Sequence, residues 1–116
     1  MLDFPMNPGE TYMGVLLNEQ QQPTYRIIKV PGFVENVDFD QAQRWAMCNN
    51  ASLPDADEIA MFNFNFSDKR DFFWTCEVDE RSANLIAVYN SKTHRFVKTI
   101  KTLKGAAIAV RRIPVN

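Results

Sequence analysis

Two stretches decide the reading of this chain: Leu53-Pro54-Asp55-Ala56-Asp57-Glu58, and then Asp71-Phe72-Phe73-Trp74-Thr75-Cys76. Asp55 with Glu58 three residues on has the spacing of a capping box, in which each side chain satisfies the other residue's backbone amide. A short helix is expected to start there, with Ile59, Met61, Phe62 and Phe66 supplying its apolar side. The second stretch is aromatic with a β-branched threonine, which favours a half-buried strand. A helix leading straight into a core strand points to an α+β chain.

Upstream, Met13-Gly14-Val15-Leu16-Leu17 and Tyr25-Arg26-Ile27-Ile28-Lys29-Val30 read as strands joined by the polar segment Asn18 to Pro23. Pro31-Gly32 ends the second of them, because proline lacks the donor a ladder needs. Asp38 then caps a helix through Cys48, where Phe39, Ala42, Trp45 and Ala46 share one side, and Asn49-Asn50 ends it. Downstream, Asn84 to Tyr89 reads as a strand, Asn90-Ser91-Lys92 as a turn and Ala106 to Val110 as a last core strand. Between them, Arg95 to Lys104 is ambiguous. Phe96, Ile100 and Leu103 keep helical spacing, whereas Val97, Thr99 and Thr102 favour a strand.

The order of these pieces resembles a C-type-lectin-like family of phage and bacterial proteins. That family runs from a Gly-Val-Ile-Leu strand and a Pro-Gly turn to a helix with Trp-Ala. A Leu-Pro-Thr-Arg-x-Glu helix start, a Trp-Ser-Ser-Glu strand and a closing Ala-Val-Arg-Arg follow. The matching residues here are Gly14 to Leu17, Pro31-Gly32, Trp45-Ala46, Leu53-Pro54-Asp55 with Glu58, Trp74 to Glu77, and Ala109 to Arg112. The resemblance implies two helices packed on a twisted, mostly antiparallel sheet over residues 12–116, after an N-terminal extension of residues 1–11. Asp55-Ala56 replaces the family's Thr-Arg, Thr75-Cys76 replaces Ser-Ser, and Asn90 to Arg95 replaces a Gly-containing turn.

The 116 residues suit one domain, and neither a low-complexity run nor an internal repeat divides them. Met1 to Pro8 resembles neither a secretory signal nor a transit peptide, and no window reaches the length of a membrane span, so a cytoplasmic, membrane-free protein is expected. Cys48 and Cys76 are too few for a disulfide framework and are expected as buried thiols. The net charge of −1 conceals a division. Residues 1–80 hold all 14 acids and five basic residues, whereas the last 36 residues hold eight basic residues and no acid. A basic surface for an acidic partner is one reading of this split, and mixing of the two halves in the fold is the other.

Neither the Glu-Pro-Asn or Gln-Pro-Asp nor the Trp-Asn-Asp pattern of calcium-dependent lectins is present, and capping accounts for the Asp55, Asp57, Glu58 cluster; no metal or cofactor is expected. His94 is the one histidine that could serve Cys48 or Cys76, and phosphate-loop, Gly-x-Ser-x-Gly and HExxH signatures are absent, so the expectation is a protein that is not an enzyme. Strand alternation turns Arg111 and Arg112 to opposite faces. One of them is expected to anchor a carboxylate such as Glu58 or Glu77, where a bidentate fork suits the task. The candidate binding residues are Tyr89, Lys92, His94, Arg95, Phe96, Lys98, Lys101 and Lys104. On a helix the four cations from Arg95 to Lys104 would form one stripe; on a strand they would alternate faces.

The expected function is recognition of a host macromolecule by a phage or prophage protein, with a host protein as the partner and block of a host enzyme or defence system as the effect. A balanced charge and a pI near 5.8 weigh against nucleic acid. The rivals are a virion or carbohydrate-binding module using Phe33, Tyr89 or Phe96, and a small thiol enzyme.

Overall fold

A computed structural model describes residues 6–61 and 72–115 of the chain. The expected contributions of Phe62, Phe66 and Asp71 lie outside the described residues. The elements, in order, are β1 (Thr11–Leu17), β2 (Pro23–Lys29), β3 (Val34–Val37), α1 (Phe39–Cys48), α2 (Ala56–Ala60), β4 (Phe72–Val78), β5 (Leu85–Asn90), β6 (Arg95–Ile100), β7 (Gly105–Ala107) and β8 (Val110–Pro114). The chain is α+β, as expected. Its strands form two sheets where one was expected: β1-β2-β8, and β3-β7-β4-β5-β6. All the strand pairings are antiparallel except β4 with β7.

The split into two sheets has a local cause. Ala106 to Val110 reads as one strand because every residue in it is buried, yet its backbone changes partners midway. Ala106 pairs with Phe73 and Ala107 with Val34, whereas the carbonyl of Ala109 accepts from Val30 N–H and Val110 joins Lys29. Apolar patterning reports burial, and burial continues while the hydrogen bonds change hands. Strand β3 was not anticipated. It is four residues long with Asn36 at φ 56°, too short and irregular to leave a period.

Both helices start at the expected residues. Asp38 with Gln41 and Asp55 with Glu58 form reciprocal capping boxes, each closed by bonds of 2.8 and 2.9 Å or of 2.8 Å twice. The helices then cover opposite faces of the five-stranded sheet. On one face Phe39, Ala42 and Ala46 of α1 join Trp74, Ile86, Val88, Ala107 and Ala109. On the other, Ile59 of α2 joins Phe73, Tyr89, Ala106 and Ile108. Successive residues such as Phe73 and Trp74 divide between the clusters because strand side chains alternate. Trp74 lies edge-on to Phe39, with centroids 5.6 Å apart, and its indole N–H donates to the Val37 carbonyl at 2.9 Å. Burial of one such large apolar side chain contributes about 1.5–3 kcal/mol.

Around Thr75 the chain leaves regular pairing, since Trp74 pairs with Val88 but Val78 with Ile86. The Thr75 hydroxyl bridges the gap by donating to the Ala87 carbonyl at 2.8 Å, and Cys76 N–H donates to Pro54 O at 3.0 Å. That second bond holds the start of α2 against the bulge.

An ion pair between a fully buried carboxylate and a partly solvated guanidinium links the two sheets. Glu58 is fully buried, and Arg112 of β8 grips it with Nε and Nη2 at 2.5 Å each, while Nη2 also donates to Leu53 O at 3.2 Å. The expected carboxylate anchor is therefore Arg112, with Glu58 as its partner. Tyr25 of β2 faces the same carboxylate, and its phenol is pushed up to about 12, first by burial and then by the charge of Glu58. On the opposite face of β8, Arg111 grips Glu10 through two 2.8 Å bonds. This partner was not foreseen, because Glu10 lies in the segment read as an extension. Gly14, at φ +140° beside a bulge in β1, suits the same layer: a Cβ there would stand 3.0 Å from Met61 Cε.

Glu58→Gln should lower stability by about 2 kcal/mol, because the fully buried side chain loses two charge-assisted bonds to a guanidinium that is itself partly solvated; a loss below about 0.5 kcal/mol in urea denaturation would contradict that role. The Arg111 fork holds the Glu10 carboxyl at about 2, below its ordinary 4.5. The stability this gives is complete above the ordinary value and disappears as the pH falls through the folded one. Wild type and Glu10→Gln should therefore differ most near neutral pH and converge toward pH 2; a constant difference across an acid titration would contradict the linkage.

Candidate functional site

The candidate residues gather around the β5–β6 hairpin and the turn that follows it. The two strands pair without interruption from Leu85–Ile100 to Asn90–Arg95. The ambiguous segment Arg95 to Lys104 is thus a strand as far as Ile100 and a turn beyond it, with Val97 and Thr99 reporting the strand where the helical spacing of Phe96, Ile100 and Leu103 does not. The loop of residues 91–94 is built from side-chain bonds, with Asn90 Oδ1 accepting from Lys92 N–H at 2.9 Å and Thr93 N–H at 3.3 Å. His94 closes it at φ 56°, a left-handed conformation more often filled by glycine. This is the region where the resembled family places a glycine.

Tyr89 is buried, contrary to the expectation that it could stack on a ligand. It belongs to the core under α2, its hydroxyl lies 2.7 Å from His94 Nδ1, and Phe96 leans on its ring with centroids 5.1 Å apart. Burial pushes its phenol above the ordinary tyrosine value. Tyr89 therefore supports Phe96 and His94 from beneath, and these two reach the surface.

Because β6 is a strand, the cations do not form a stripe. Arg95 lies on one face with Val97 and Thr99, and Lys98 on the other with Phe96 and Ile100. Lys98 Nζ stands 3.3 Å from Asp79 Oδ1. The carboxyl of Asp79 is held below its usual range, first by the Arg81 amide and further by Lys98. Beyond the strand, the Lys101 carbonyl accepts from Phe39 N–H, which ties the turn to the start of α1. Lys104 Nζ reaches the same helix, 3.2 Å from Gln41 Oε1 and 3.7 Å from Asp38 Oδ2. The charge asymmetry along the chain is therefore partly mixed in the fold, with late cations set against early acids.

A shallow cleft of about 470 Å³ opens beside Lys98, lined by Glu77, Val78, Asp79, Glu80, Arg81 and Ala87. It is polar and charged, and the Lys98–Asp79 pair forms part of its wall. What the cation-centred reading missed is the apolar character of the same margin. Phe96 is 40% exposed, Val97 45% and Ile100 56%, and Leu103 follows in the turn. The signal was present in the alternating Arg95-Phe96-Val97-Lys98-Thr99-Ile100, but its meaning depends on β6 lying at the end of a sheet.

Cys48 and Cys76 are both exposed and unbridged, which corrects the expectation of buried thiols. Cys48 falls on the outer side of α1, and the bulge in β4 turns Cys76 away from the core. Crowding around its sulfur nevertheless pushes the Cys76 thiol up, the reverse of the shift that activates a nucleophile. Among the described residues no group of three His, Cys, Asp or Glu could hold a metal ion, and no helix is long and apolar enough to cross a membrane. No protein-family model, no curated protein and no solved structure matches the chain.

Proposed function

We propose that this chain is a non-catalytic interaction protein that binds another macromolecule along the β6 margin of its five-stranded sheet. One observation carries the reading: β6 exposes apolar side chains on both of its faces, Phe96 and Ile100 on one and Val97 on the other, with Arg95 and Lys98 between them. Adjoining apolar residues rimmed by charge are the usual make-up of a protein-binding surface. The separated cations suit nucleic acid less well, since a phosphate backbone is best met by a continuous basic track.

The ordered set of motifs leads us to assign the scaffold to the C-type-lectin-like proteins of phage and bacteria. On that assignment the partner is a host protein met in the host cytoplasm, and occupation of its surface blocks an enzyme or a defence system. The capping box at Asp55, the Trp74 anchor and the Arg112 fork support the assignment, since each gives a structural task to a residue of the shared pattern.

The test is affinity capture from bacterial lysate at low and high salt, run with wild type and with Ile100→Glu. Ile100 is mostly solvated, so the variant should fold normally. Wild type should retain one specific protein that the variant loses. Identical captures by both would remove β6 from the binding surface, and glycan binding with no captured protein would favour the virion or carbohydrate reading.

A further inference from the structure

We infer that the outer edge of β6 receives an extended, acidic segment of the partner as an added strand. The inference rests on the reading of β6 as the binding margin and names the chemistry of what binds there.

The two sheets end in four edges, and three of them are poor templates. Strand β1 is broken by register shifts at Tyr12/Gly14 and Leu16/Leu17. Strand β3 is short, shifts register between Val34 and Val37, and carries Asn36 at φ 56°. Strand β8 is partly covered where Val110 exchanges backbone bonds with Ser52, and it ends in Pro114. Bulges, short length, cover, proline and charged side chains are the devices by which proteins blunt an edge. Among the described residues β6 shows only the last of these, in Arg95 and Lys98, which deter a like-charged strand and admit an acidic one. Its six residues keep one register with β5, so the opposite side presents donors and acceptors at regular spacing. Among the described residues no backbone bond reaches that side between Arg95 and Thr99.

Charge decides between a second copy and a different chain. Pairing β6 antiparallel with itself about Arg95 sets Arg95 against its own copy and Lys98 against Lys92, and pairing about Lys98 sets Lys98 against its own copy and Arg95 against Lys101. A register about Val97 avoids direct opposition but still gathers all these cations on one seam, and like charges across a ladder are destabilising. Asp79 meets Lys98 at 3.3 Å, but the lysine is largely solvated and the pair is worth little; among the described residues Arg95 and Lys101 form no ion pair, so the margin stays cationic. An acidic strand meets the opposite situation. Side chains directly opposite each other on a ladder share a face, so Phe96, Lys98 and Ile100 call for apolar, acidic and apolar residues at alternate positions. Main-chain bonds would then supply affinity, and this alternation specificity.

The experiment titrates the full chain with the peptide Thr-Val-Thr-Glu-Thr-Val-Thr, its lysine-centred counterpart, and two copies N-methylated on alternate residues. The glutamate peptide should bind at least tenfold more tightly than the lysine peptide. N-methylation of one alternate set should abolish binding while the other set is tolerated, and the protein should sediment as a monomer. Equal binding by both N-methylated copies would overturn strand addition while leaving β6 as a side-chain contact surface. Failure of every peptide at about 1 mM, from protein that still captures a partner through Ile100, would overturn the acidic strand and leave the proposed function standing. Sedimentation as a dimer that excludes the peptide would give the edge to a second copy and overturn the inference.

Discussion

The contact between Glu58 and Arg112 is the constraint from which most of this architecture follows. A fully buried carboxylate is tolerable only when its charge and lone pairs are met, and here two elements divide that task. The α2 cap occupies one side of the carboxylate, through the Asp55 amide and Glu58 Oε1, and the guanidinium fork occupies the other. Because α2 packs on the five-stranded sheet and Arg112 belongs to the three-stranded one, satisfying this carboxylate fixes the two sheets to each other. The neighbouring groups record the same crowding: burial raises the carboxyl of Asp55 and the thiol of Cys76 above their ordinary values.

With the sheets fixed at this end, the five-stranded sheet extends outward through β4, β5 and β6. Trp74 and Phe73 hold its centre from opposite faces, and cover thins toward the last strand. Strand β6 is positioned by its ladder to β5, by the ring of Tyr89 beneath Phe96, and by the turn that ties Lys101 and Lys104 to α1. A margin that is rigidly placed yet exposed costs little ordering entropy on binding, which is the advantage of a preformed edge over a flexible loop.

Much of this was legible in the residues. The caps at Asp38 and Asp55 gave both helix starts, because a capping bond is local and leaves its mark within four positions. The Arg112 anchor was legible as a type of contact, and Glu58 was one of two partners considered. Other features depend on pairings that no local pattern encodes. Ala106 to Val110 is apolar throughout whether or not it changes sheet, and Glu10 gives no hint of Arg111 until β8 lies beside β2. The candidate residues gather on one hairpin and the turn after it, but their cations do not share a face. The basic residues from Arg95 to Lys104 drew attention by their spacing, whereas strand geometry separates them and sets Lys98 and Lys104 against Asp79 and Asp38. The exposed Phe96, Val97 and Ile100 acquire meaning only because β5 ends in β6 and nothing described continues the sheet.

Amide hydrogen exchange followed residue by residue in the unliganded protein tests whether the outer edge of β6 is free. Alternate amides from Arg95 to Ile100 should exchange fast, those facing away from β5, while the intervening ones are protected by their bonds to it. Uniform protection along β6 would show the edge already covered and leave no place there for a partner strand.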